Sequence, residues 1–304
     1  MTAARAGHLA MLSFSLLVAG SFVLGALSAN AMSPLALNAV RFWIAVAIIG
    51  AAVFATSGLP RAAMASPWRY VLLAGLFVTY FVLMFEGLKT AAPVSASAVF
   101  TLTPILSAGF GYLLLRQVLT ARIALALAIG ALGAIWVIFR ADLAALLRFE
   151  IGQGEVIYFV GCVAHAIYTP LVRRLNRGES ALVFTFGTLL AGAVLLTLVG
   201  WGDLRTTNWT ALPGIVWVTI LYTAVFASAA TFTLLQFAAL RLPASKVMAY
   251  TYLTPSWVIV WDVAFGGTAP PAMVLIGIGL TIVALTLLLR DEEPTSAAVV
   301  NPRT

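Results

Sequence analysis

Apolar residues run through this chain in ten long stretches separated by short polar turns. The stretches are Leu9–Ala29, Leu35–Ala55, Tyr70–Leu88, Val94–Leu115, Ile123–Phe139, Gly154–Val172, Ala181–Val199, Pro213–Leu240, Ala244–Phe265 and Met273–Leu289. Each is about 17 to 28 residues long, and an apolar helix needs roughly 20 to cross about 30 Å of hydrocarbon. The pattern predicts an all-α integral membrane protein with ten transmembrane helices.

Two of the turns share a signature. Ala238-Ala239-Leu240-Arg241-Leu242-Pro243-Ala244-Ser245 leads into Tyr252-Leu253-Thr254-Pro255, and Gly87-Leu88-Lys89-Thr90-Ala91-Ala92-Pro93 leads into Thr101-Leu102-Thr103-Pro104. Each copy has a small residue, Leu and a basic residue, then a proline, then Thr-Pro. The copies lie in corresponding places of two halves, which marks an internal repeat. The predicted organisation is a first five-helix repeat over 1-140, an outer linker over 141-153, a second five-helix repeat over 154-290 and a disordered cytoplasmic tail over 291-304. Five is odd, so the second repeat must enter the membrane upside down relative to the first. The expected architecture is two inverted five-helix repeats around a central cavity.

Composition agrees and narrows the class. The chain is 62% hydrophobic and 9% charged over 304 residues, more apolar surface than a soluble core can hide. Its net charge of +7 could suggest nucleic acid, but the charge is distributed across a membrane. With the N-terminus cytoplasmic, twelve basic residues fall on that side: Arg5, Arg61, Arg69, Arg116, Arg122, Arg173, Arg174, Arg177, Arg241, Lys246, Arg290 and Arg303. Arg41, Lys89, Arg140, Arg148 and Arg205 fall outside. This positive-inside bias predicts a cell (inner) membrane protein with both termini cytoplasmic. No loop is long enough for a nucleic-acid domain. Arg5 and Ala29-Asn30-Ala31 resemble a signal peptide, but the first apolar run is longer than the usual 7 to 15 residues, and cleavage would break the repeat. The single Cys162 lies within a helix and says little about compartment.

The motifs resemble the EamA-type branch of the drug/metabolite transporter superfamily over nearly the whole chain. The matching pieces are Arg41-Phe42 in the second helix, the two Thr-Pro segments, Ala239-Leu240-Arg241-Leu242-Pro243-Ala244, Gly130 and Gly133 in the fifth helix, and Gly277 in the tenth. The resemblance implies a ten-helix fold with a central cavity that exports small metabolites such as amino acids. The chain departs from the family in two places. Gly-Glu-Arg after the fourth helix is replaced by Arg116-Gln117-Val118, and the second copy has Gly266-Gly267-Thr268. Tryptophans common in the first and sixth helices are replaced by Ala19 and His165, which implies a cavity of different shape.

Transport needs a path, a site and hinges. Pro104 and Pro255 are candidate hinges in the fourth and ninth helices, because each removes a backbone donor near mid-helix; plain packing is the alternative. Glu86 and Asp262 are candidate proton-coupling carboxylates. The plainer reading pairs Glu86 with Lys89 or Arg41 in an interfacial salt bridge, and Asp262 likewise admits a structural role. His165 is about eleven residues into the sixth helix, roughly 16 Å deep and close to the midplane. Ala19 reaches the same depth from the other side. His165, Ala19, Phe22, Tyr80, Tyr222, Tyr250 and Tyr252 are therefore the candidate substrate-cavity residues, with helix packing as the rival account of each. Trp68, Trp201, Trp209 and Trp217, near span ends, read as interface anchors.

No Walker loop, dinucleotide turn, His-Glu-x-x-His or cysteine pair is present, so neither an enzyme nor a cofactor or metal site is expected. The expected partners are a small-molecule substrate and the lipid bilayer, with the chain a monomer or homodimer. A multidrug exporter of cationic compounds would want a carboxylate in the middle of the first helix, which has none. A non-transporting receptor or assembly protein is the remaining alternative.

Overall fold

The computed structural model describes residues 3–290 apart from positions 119 and 149, so the predicted tail over 291-304 lies outside the described residues. Among the described residues every regular element is helical, and nine helices are long and apolar enough to cross a membrane. Counting apolar segments along the chain, the first three are Ala3–Ser28, Pro34–Thr56 and Trp68–Gly87. The fourth is Pro93–Phe100 followed by Thr103–Leu115, and the fifth is Ala121–Ile138. The sixth and seventh are Gln153–Leu175 and Ala181–Val199. The eighth runs from Gly214–Ala224 through a π-helical turn, Val225–Ala230, into Thr231–Ala239. The tenth is Ala272–Arg290.

The ninth segment accounts for the difference between ten apolar stretches and nine long helices. It is divided into Ala244–Ala249, a 3-10 turn over Tyr250–Leu253, and Thr254–Ala264. Pro104 and Pro255 each stand in the first turn of a new helical piece. There the missing N–H costs nothing and the fixed φ suits helix initiation. The expected proline kinks are thus breaks that restart a helix. The two breaks touch, with Thr103 Oγ1 3.3 Å from Thr251 Oγ1 in the interior.

Helix starts follow local sequence. Ser33 accepts from the Leu35 N–H ahead of Pro34, Thr120 from Ile123 and Ser180 from Val183, each hydroxyl satisfying a donor that the first turn leaves open. Packing relies on small residues, as expected where lipid offers no hydrophobic drive between helices. A β-carbon on Gly133 of the fifth helix would stand 2.5 Å from the Gly277 carbonyl oxygen of the tenth, and one on Gly277 2.7 Å from the Gly133 oxygen. The third helix packs on the sixth where Gly161 faces the Tyr80 backbone, and the first packs on the eighth where Gly20 faces Tyr222. Gly192 of the seventh helix receives Phe42 of the second.

The ends of the bundle are tied differently. At one end the Arg69 guanidinium pairs with Glu179 at 2.7 Å and donates to the Leu175 carbonyl at 2.7 Å, joining the third helix to the turn after the sixth. Burial alone would raise the Glu179 carboxyl, but the bond from Arg69 and the Arg177 backbone N–H hold it below its ordinary range. At the other end Ser33 bonds to Asp203, and Asn30 donates to the Lys89 carbonyl at 3.3 Å.

A buried aromatic layer as the candidate functional site

Glu155, Tyr158, Cys162 and His165 recur at helical spacing, so they share one face of the sixth helix. That face turns inward: His165 is 1% exposed and Tyr158 and Cys162 are fully buried. The His165 ring is 4.4 Å from Tyr80, 5.2 Å from Phe77 and 5.5 Å from Phe100, measured between centroids. Tyr158 donates its hydroxyl to that of Tyr80 at 3.0 Å, while His165 Nδ1 has no hydrogen-bond partner. Phe22 joins from the first helix, 5.9 Å from Phe100 and 5.8 Å from Tyr158. Phe232 of the eighth helix meets Phe77 edge-on at 4.0 Å.

Rings from both halves of the chain therefore meet around His165. The sequence predicts an open central cavity at this level; the structure fills the space around His165 with a packed aromatic layer. Such a layer offers π-faces, two phenols and an imidazole. It suits recognition of an apolar or aromatic body carrying a few polar groups.

The other candidate residues divide between separate places. Ala19 is fully buried in the first helix, next to Gly20, which packs on Tyr222. Tyr222 donates to the Leu17 carbonyl at 2.9 Å, and Tyr250 lies 3.2 Å from His8 Nδ1. Tyr252 packs against Gly130, its hydroxyl without a partner. Glu86 forms the ion pair with Lys89, at 2.7 Å and half-exposed. Asp262 is half-buried at the end of the ninth segment, where its carbonyl accepts from Gly267 N at 2.8 Å. Of the predicted set, the structure gathers His165, Tyr80 and Phe22 into one layer.

Two charged residues matter more than their sequence suggests. Glu155, 3% exposed in the first turn of the sixth helix, accepts a hydrogen bond from Ser95 at 2.7 Å. It borders a cleft of about 590 Å³ shared with Arg140, Asp142 and Glu150. A carboxylate beside glycine at a helix start was its signal. Arg41, placed near the outer end by sequence, is fully buried.

Among the described residues, nine helices long and apolar enough to cross a membrane make this a multi-pass membrane protein, and the family match that follows makes it a transporter. The chain belongs to the EamA-like transporter family, whose model matches residues 5–139 and again residues 152–290. It is similar to "Uncharacterized transporter YyaM" of Bacillus subtilis (strain 168), at 26% identity over 283 residues and 92% of each chain. A solved crystal structure, 23% identical over 94% of this chain and 95% of its own, matches with a TM-score of 0.71 and shares the fold.

Proposed function

We propose that the chain is a secondary transporter that exports small metabolites, amino acids or related compounds, by alternating access. The observation that carries this reading is the aromatic layer at His165, to which both family-matching segments contribute. Secondary transporters hold substrate at the midplane between repeats.

On this reading the ninth segment completes ten spans, and 1-140 and 154-290 are inverted halves joined by 141-153. The helix pairings support it. Third packs on sixth as eighth packs on first, fourth on sixth as ninth on first, and fifth on tenth. Exchanging helix n for n+5 maps each pairing onto another or onto itself, as a two-fold axis in the membrane plane requires. Both termini are then cytoplasmic, at the inner membrane, and the chain acts as a monomer or homodimer. Pro104 and Pro255, at breaks that touch, are the hinges, and their substitution by Ala is expected to slow flux while abundance stays near normal. Glu86 and Asp262 are candidates for proton coupling; neutralising each should flatten the pH dependence of flux, and persistence of that dependence in both excludes them.

The test is a metabolite tolerance and efflux screen in cells producing wild type, His165→Trp and His165→Ala. A site residue changes the exported set with abundance unchanged. An unaltered profile and affinity in both variants would remove His165 from the site.

A further inference from the structure

Arg41 is fully buried in a membrane-spanning helix, and its partners are neutral. Its Nε donates to Ser228 Oγ at 3.0 Å, and its Nη2 to Ser228 Oγ at 2.9 Å and to the Ala227 carbonyl at 3.2 Å. Ser228 and Ala227 belong to the π-helical turn Val225–Ala230, a widened turn of the kind that recurs at functional sites. Nη1 has no hydrogen-bond partner, and among the described residues no carboxylate forms an ion pair with Arg41. Glu86 is held by Lys89, and Glu155 by Ser95. A buried guanidinium without a counter-charge is costly, and in membrane proteins such groups usually face a solute path.

Its surroundings connect it to the site. The guanidinium carbon lies 3.9 Å from the Phe81 ring centroid, with Phe42 and Phe85 at 5.7 and 5.8 Å. Phe81 is in turn 4.7 Å from Tyr80, 5.0 Å from Phe77 and stacked on Phe232 at 5.8 Å. Tyr80 and Phe77 are the rings that touch His165. One cation and one imidazole, each with an unpartnered nitrogen, thus flank a single aromatic layer.

We propose that Arg41 recognises the carboxylate of a monocarboxylate metabolite with an apolar or aromatic body. This deepens the transport reading and rests on it. The carboxylate bonds to Nη1 and supplies the missing charge. The rings of Phe42, Phe77 and Phe81 close on one another in this conformation, and the body takes its place beside them when the alternating-access cycle parts the layer, with His165 meeting a polar substituent on the far side. A monoanion matches the single positive charge. A phosphate group, with about −1.5 to −2 at neutral pH, would remain uncompensated.

The experiment uses the full chain, purified and reconstituted, with 3-phenylpropanoate and L-phenylalanine as probes, each against its amide. Ligand-induced thermal stabilisation reads binding, and vesicle flux reads transport. Wild type is expected to prefer the acids at least about tenfold, the scale of one charge-assisted hydrogen bond. Arg41→Gln abolishes that preference, and Arg41→Lys, which keeps the charge without the planar fork, weakens it. Should Arg41→Gln fail to fold, Arg41→Lys and the wild-type acid-to-amide ratio decide the matter. A folded Arg41 variant that keeps the full preference overturns the proposal. So does wild type that binds neither probe, or acids and amides alike. Efflux in the tolerance screen is scored separately, so transport without acid preference sinks this inference and leaves the transport reading standing.

Discussion

Arg69 and Arg41 are each at most 1% exposed, yet one is fully provided for and the other is not. All three nitrogens of the Arg69 guanidinium group are engaged: with Glu179, with the Leu175 and Ala63 carbonyls, and with Ser66 O at 3.2 Å. Arg41 has a hydroxyl, one carbonyl and three ring faces, and no acid among the described residues. A charge whose partner is built into the fold holds the fold together. A charge whose partner is not built in adds little to it and is free to recognise something else. The two sites therefore separate a structural arginine from a recognition arginine within the same half of the chain.

The comparison breaks most clearly by removing each charge. Arg69→Met leaves Glu179 buried without its cation and is expected to lower stability by about 3–5 kcal/mol, whereas Arg41→Met orphans no carboxylate and is expected to stay within about 1 kcal/mol of wild type. Thermal unfolding in detergent measures both, and equal losses would erase the distinction. A smaller effect is expected for Ser228→Ala, about 1.5–3 kcal/mol, because it deletes the acceptor of two charge-assisted bonds. The same unfolding assay reads it, and no change would mean that the π-turn does not hold Arg41. The smallest effect sharpens the contrast through pH. Glu179 is held below its ordinary value of 4.5, so its stabilisation is complete above that value and fades as pH falls through the lower folded value. That acid-labile component should shrink in Arg69→Met, where only the bond from the Arg177 backbone N–H still holds the carboxyl down, and persist in full in Arg41→Met, as a pH series of melting temperatures would show.

Much of the fold was legible because apolar length is a local property. The seventh span, read as Ala181–Val199, has those bounds in the structure. The Thr-Pro positions were also legible, although a proline says only that a helix is interrupted, and the difference between a kink and a break depends on what packs beside it. The burial of His165 was legible from its place well inside an apolar helix; its ring partners were not, since they come from the third, fourth and sixth helices together. Arg41 was the least legible. A shared place near the outer helix ends offered Glu86 as a partner for either Lys89 or Arg41; Glu86 pairs with Lys89, and the contact of Arg41 is Ser228, 187 residues away. That pairing depends on the rotation of two helices and on a π-turn whose only mark is the small-residue run Ala227-Ser228-Ala229-Ala230.

The paired glycines of the fifth and tenth helices bear on how variation in this chain should be interpreted. A β-carbon at 133 or 277 collides with a main-chain oxygen, and a main-chain oxygen cannot rotate out of the way as a side chain can. A saturation map would therefore mark both positions as intolerant, alongside any residue that handles a solute. Intolerance alone would then point to two sites where one carries cargo and the other is a seam. Only changes that alter which compound is moved, at constant protein level, tell cargo from seam.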